Sequence, residues 1–209
     1  ATKRLVSNST QAEDTQATQL KSFTHDGFIY GLDLPNNTGD TGVYWCWRAG
    51  GNKNTFNVDD VGYATAAAAG LDGGDLTVTG ASVGTKQGFS IIKWESIDWA
   101  GNANNRQVPH GLTQSPDFIV TKGMENAAGW YTYHKDLHAT DPNDYYLTLN
   151  TTTAVSNLAD SWGPNKPDAT TFGDRVLGWT GGQDVIAYLW HDVPGLQKFG
   201  KFIGNANAD

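Results

Sequence analysis

Asp184-Val185-Ile186-Ala187-Tyr188-Leu189-Trp190-His191-Asp192-Val193-Pro194-Gly195 is the stretch on which the rest of the chain is organised. Val185, Ala187 and Leu189 fall on one face of an extended strand and Ile186, Tyr188 and Trp190 on the other. A run apolar on both faces predicts a central strand covered from both sides. Gly181 and Gly182 precede it and Pro194 and Gly195 close it, and a segment of this length between such punctuation is a strand rather than a helix.

The chain contains this pattern twice. Gly42-Val43-Tyr44-Trp45-Cys46-Trp47-Arg48-Ala49-Gly50 aligns Val43 with Ile186, Trp45 with Tyr188, Trp47 with Trp190 and Arg48 with His191, an offset of 190 − 47 = 143. Upstream, Leu5-Val6-Ser7-Asn8-Ser9-Thr10-Gln11-Ala12 matches Leu147-Thr148-Leu149-Asn150-Thr151-Thr152-Thr153-Ala154 at an offset of 147 − 5 = 142. Similar offsets on two separated segments mark an internal repeat. They divide the chain into residues 1–51, the second half of a repeated module that packs onto or completes the main sandwich; 52–87, a Gly/Ala/Asn-rich connection; 88–205, the main module; and 206–209, a tail.

With 209 residues the chain is long enough to bury a core without disulfides, and its single Cys46, inside the apolar strand copy, is expected to be a buried thiol. Eight each of Trp, Tyr and Phe among 25 Gly predict short strands joined by polar turns and little helix. Net charge is −8 with no basic run, which argues against nucleic acid as a partner. No apolar run is long enough to insert in a membrane. The chain starts at Ala1 rather than methionine, which suggests an engineered start, a processed product or an excised piece.

Strands are expected at Lys3–Ser7, Phe28–Gly31, Val43–Trp47, Leu76–Thr79, Phe89–Trp94, Phe118–Lys122, Trp130–His134, Tyr145–Leu149, Arg175–Trp179, Val185–Trp190 and Phe199–Ile203, with Phe28–Gly31 and Val43–Trp47 pairing as a hairpin. Strands without alternating helices predict an all-β, antiparallel sandwich or barrel.

Candidate chemistry is sparse. Glu95 and Asp98 would point to opposite faces of a regular strand, so they make a poor pair of glycosidase carboxylates. Tyr131 and Tyr133 likewise alternate with His134, against a lyase-type Tyr/His pair. His134 and His138 have a zinc-like spacing only on a helix, and their segment reads as strand. Asp72 and Asp75 in a Gly-rich loop read as turn formers, with a calcium ion as the weaker alternative; no other cofactor is implied. Binding residues are sought instead in two polar loops carrying an aromatic and several amides or carboxylates, Trp99 with Asn102, Asn104 and Asn105, and Asp141 with Asn143, Asp144 and Tyr145.

The motif series Gly88-Phe89-Ser90-Ile91, Pro109-His110-Gly111-Leu112, Ser115-Pro116-Asp117-Phe118-Ile119-Val120-Thr121-Lys122, Trp130 with Tyr133-His134, Leu147-Thr148-Leu149-Asn150, Ile186-Ala187-Tyr188, Pro194-Gly195 and Phe199-Gly200-Lys201-Phe202-Ile203-Gly204-Asn205 resembles the concanavalin A-like, laminin G-like jelly-roll modules repeated in tail-fibre and other virion proteins of tailed bacteriophages. The resemblance spans residues 88–205, and 1–51 resembles the second half of the same module. It implies a jelly-roll β-sandwich in a virion protein outside the capsid or on the tail. Its implied partners are other virion chains or modules and a bacterial surface glycan, and its implied role is host attachment without catalysis. The alternatives are a glycan depolymerase and a purely structural spacer. No catalytic residue is carried over.

Overall fold

The computed structural model describes residues 3–31, 39, 41–97, 106–165, 167–175 and 181–205. Among them the chain is all-β, with two three-residue 3₁₀ turns, Ala67–Ala69 and Pro142–Asp144, as its helical elements. In chain order the strands are β1 (Lys3–Arg4), β2 (Asp14–Thr15), β3 (Leu20–Thr24), β4 (Gly27–Tyr30), β5 (Phe56–Val58), β6 (Val61–Tyr63), β7 (Val78–Gly84) and β8 (Phe89–Glu95). They continue with β9 (Gln107–Pro109), β10 (Phe118–Gly123), β11 (Tyr131–His134), β12 (Tyr145–Thr148), β13 (Ser156–Asn157), β14 (Thr171–Gly173) and β15 (Asp184–Trp190).

Nine strands form one sheet in the order β13-β12-β11-β10-β15-β8-β7-β5-β6, so the strand predicted to be central, β15, is the middle one. It pairs antiparallel with β10 (Tyr188 opposite Val120) and with β8 (Ala187 opposite Ile92). The sheet is mixed, because β5 lies parallel to β7, which corrects the expectation of purely antiparallel pairing. β9–β14, β1–β2 and β3–β4 are separate two-stranded ladders.

The alternation read in β15 is the alternation seen. Val185, Ala187 and Leu189 are completely buried on one face, packed with Ile92, Trp94 and Ile119 under Leu71, Val108, Trp162 and Phe172, which arrive from loops and from the β9–β14 ladder. Each Val, Leu, Ile or Phe among them contributes about 1.5–3 kcal/mol on removal from water. On the other face Trp190, Phe89, Val120 and Trp130 form a second cluster, closed by Leu5, Ala49 and Phe199 from outside the sheet. Phe89 stacks on Trp190 at 4.8 Å and Phe118 on Phe199 at 5.5 Å. Residues from the first fifty thus cover the second face, and none of their described strands joins the nine-stranded sheet.

Four sequence expectations are corrected. Val43–Trp47, the copy of the central strand, forms no strand and is exposed, and β4 pairs with β3 instead. A strand needs hydrogen-bonded neighbours, and the copy has no counterparts of β8 and β10 beside it. Cys46, on that copy, is therefore exposed and not a buried thiol. Phe199–Ile203 is likewise not a strand, with Phe202 and Ile203 in solvent. The stretch 52–87, read as a connection with one strand, supplies β5, β6 and β7 to the sheet. Its alanine run closes as the 3₁₀ turn Ala67–Ala69, stopped by Gly70 at φ +72°. In the expected strand Arg175–Trp179, residues 176–179 lie outside the described residues.

Candidate functional site

β11 ends at His134, and the chain turns back through residues 135–144 to enter β12. His134 Nδ1 accepts the Asp136 amide at 3.0 Å, and four residues on His138 Nδ1 accepts the Asp141 amide at 3.1 Å. That second capping bond lays the His138 ring flat on Tyr145, with centroids 4.5 Å apart and planes 11° apart. The Asp141 carboxylate stands 3.7 Å from His138 Nδ1 and is 61% exposed. The result is a two-ring platform with a carboxylate at its rim, an arrangement able to take the apolar face of a sugar ring and to accept from its hydroxyls.

The structure divides the predicted residues of this loop. Asp141 and Tyr145 form the platform with His138. Asn143 and Asp144 turn inward: Asn143 Nδ2 donates to Asp144 Oδ1 at 3.0 Å, and that same oxygen accepts the Asp160 amide at 2.8 Å. The Asn143 carbonyl accepts the amide of Trp162, and the Tyr145 carbonyl accepts its indole N–H at 2.9 Å, which anchors a fully buried ring. The other predicted loop residues, Trp99, Asn102, Asn104 and Asn105, lie outside the described residues, as does Asp98 of the Glu95/Asp98 pair. Sequence reading weighed His138 only as a metal ligand. Its place three residues before Asp141 was the available signal for a capped turn.

A second polar cluster gathers where β15 ends. Lys135 Nζ lies 3.0 Å from Asp117 Oδ1 and 3.0 Å from Asp192 Oδ2. Asp117 Oδ2 also accepts the Asp192 amide, and Asp192 Oδ1 the Phe199 amide, each at 2.6 Å. Burial raises the Asp192 pKa, but the Phe199 amide and Lys135 outweigh it and leave the carboxyl below the ordinary value. Burial likewise lowers Lys135, yet its two carboxylate partners leave it raised. The Asp192 carboxyl is thus held ionised beside the Lys135 ammonium, the opposite of what a general acid requires. Beside them a cleft of about 520 Å³ is lined by residues 192–198, Asp192 being its acidic residue.

The tyrosines alternating with His134 face the core. Tyr133 packs on Trp162 at 5.7 Å, and burial pushes its hydroxyl up to about 12. Burial lowers the His134 pKa, and its ring packs edge-on to Phe118. Asp75 is tied to β9, its amide donating to the Gln107 carbonyl at 2.8 Å. Among the described residues no group of three or more His, Cys, Asp or Glu side chains gathers as a metal site.

Sequence reading did not single out three buried charged residues. Asp174 and Arg106 lie in the core with Arg106 Nη2 3.7 Å from Asp174 Oδ2, and Lys122 is wholly buried. Nothing in the local patterns around them signals burial, because their partners are distant in the chain.

The whole chain, residues 1–209, matches the family model described as Domain of unknown function (DUF7483). The chain belongs to that family. No curated protein and no solved structure matches it. The DUF7483 assignment carries no activity or ligand, so the functional reading rests on the site geometry and the motif series.

Proposed function

We propose that this chain is a non-enzymatic attachment module on the outside of a tailed-phage virion, holding a bacterial surface glycan on the platform formed by His138, Tyr145 and Asp141. The fold is read at its finer level as a jelly-roll β-sandwich of the concanavalin A-like, laminin G-like type. Its support is the large sheet and the order of the motifs from Gly88 to Asn205. Fold alone assigns no ligand. The observation that carries the reading is the near-parallel stack of His138 on Tyr145 beside an exposed carboxylate. The reading is non-enzymatic because the paired carboxylates Asp117 and Asp192 are both engaged by Lys135.

A glycan array, with and without calcium, followed by analysis of any hit for released oligosaccharide, tests this. Binding without cleavage is expected, weakened at least about tenfold in His138→Ala and Asp141→Asn, the cost of losing one good contact. Cleavage of a bound glycan overturns the non-enzymatic reading. A second reading, a purely structural spacer, is favoured by the exposed apolar side chains of Phe23, Ile29, Val43 and Trp45, which suit contact with protein. Silence across the array selects it.

A further inference from the structure

Two hairpins of this chain are one object built twice. β1 and β2 pair Lys3 with Thr15 and Arg4 with Asp14, while β12 and β13 pair Tyr145 with Asn157 and Tyr146 with Ser156, a constant shift of 142 (145 − 3, 157 − 15). The enclosed loops share two turn bonds. Ser9 donates its amide to the Val6 carbonyl at 3.1 Å, as Thr151 does to Thr148 at 3.2 Å. The Gln11 amide donates to Ser9 Oγ at 3.1 Å, as the Thr153 amide does to Thr151 Oγ1 at 3.3 Å.

The first loop is docked. Trp130 Nε1 donates to the carbonyls of Val6 and Ser9 at 3.0 and 3.1 Å, and Lys122 Nζ to that of Thr10 at 3.2 Å. The Ala128 amide also donates to Thr10 O, at 2.9 Å, and the Glu13 amide to Met124 O, at 2.7 Å. Apart from Leu5, whose side chain packs against the cluster that holds Trp130, these polar contacts all go to the backbone of the loop. A second loop with the same conformation and a different sequence therefore presents the same carbonyls, those of Thr148, Thr151 and Thr152.

That second loop is uncovered: residues 151–155 are exposed, and Leu149 is 53% exposed. One chain thus carries one socket and two matching plugs, with one plug seated and the other in solvent.

We propose that loop 147–155 docks into the Trp130–Lys122 socket of a second copy of this module when that copy's own first loop has left it, so that modules join head to tail. Such a contact uses different surfaces on the two partners, so it can repeat from copy to copy. It is independent of the glycan reading.

In the wild-type chain the socket is filled by its own loop, so the free plug is tested on a copy whose socket is emptied and whose own second plug is broken. Leu5→Asp and Ser9→Pro remove the apolar anchor and the turn amide of the first loop; Thr151→Pro removes the equivalent amide of the second. Mixed with wild type, the triple variant is expected to sediment as a one-to-one pair, and the Leu5→Asp/Ser9→Pro chain alone as oligomers that grow with concentration and disappear when Thr151→Pro is added. If the triple variant loses its near-ultraviolet circular dichroism, Ser9→Pro/Thr151→Pro takes its place in the same mixture. Mixtures in which neither variant captures wild type, or oligomers indifferent to Thr151→Pro, overturn the proposal.

Discussion

Trp94 donates its indole N–H to Asp174 Oδ2 at 2.9 Å, with both side chains completely buried. Burial dominates this carboxyl and pushes it up to about 7, against the opposing pull of Arg106 and of the indole. Because the folded value lies above the unfolded one, 3.8, the native state holds a proton that the unfolded chain has already released. Stability from this group is therefore present below pH about 4 and is lost as pH rises through about 7.

Urea unfolding at pH 5 and pH 8, compared between wild type and Asp174→Asn, measures that loss. Wild type should weaken between the two pH values relative to the asparagine variant, by at most about 3 kcal/mol on the scale of one pKa unit per 1.4 kcal/mol. The lowered carboxyls Asp14 and Asp192 act in both proteins and cancel in the difference. An equal response in the two chains would refute the assignment.

Lys122 is fully buried and, among the described residues, has no carboxylate partner; it donates to the carbonyls of Thr10 and Ala128. Burial lowers its pKa. Lys122→Met removes both bonds while preserving much of the apolar stem. Its expected effect is local: amide exchange across residues 5–13 accelerates about five- to twentyfold, the equivalent of roughly 1–2 kcal/mol, while β8, β10 and β15 stay protected. Uniform acceleration across the sheet would place Lys122 in the global core instead.

Leu189 lies on the buried face of β15 and Trp45 on the unpaired copy of that strand, 76% exposed. Leu189→Ala should cost about 2–5 kcal/mol in chemical unfolding. Trp45→Ser should stay within about 0.5 kcal/mol of wild type. Similar costs would mean that Val43–Trp47 is packed as a strand after all.

Exposure of Cys46 predicts its reactivity. Titration with a disulfide reagent should modify one thiol per chain in the native protein at nearly the rate seen in denaturant. A thiol protected until unfolding would restore the buried reading drawn from its apolar neighbours.

What the sequence determined by itself was whatever depends on neighbours along the chain. The alternation of Val185, Ala187 and Leu189 with Ile186, Tyr188 and Trp190 was enough to place β15 in the middle of a doubly covered sheet. The patterns of β8, β10, β11 and β12 were legible within a residue or two for the same reason. Identical evidence misled at Val43–Trp47 and Phe199–Ile203, because alternation states that a segment is able to be a strand and only adjacent strands satisfy its backbone groups. Short strands without apolar runs, β5, β13 and β14, were invisible for the converse reason: partners, not composition, hold them. Tertiary structure alone decided the candidate site. It turned Asn143 and Asp144 inward, laid His138 on Tyr145, and buried Arg106, Asp174 and Lys122. The His138 stack had a short-range signal in its spacing from Asp141, but the bonds of Asp144 to Asp160, Trp94 to Asp174 and Lys122 to Thr10 join residues far apart in the chain, where a side chain's environment has no local signature.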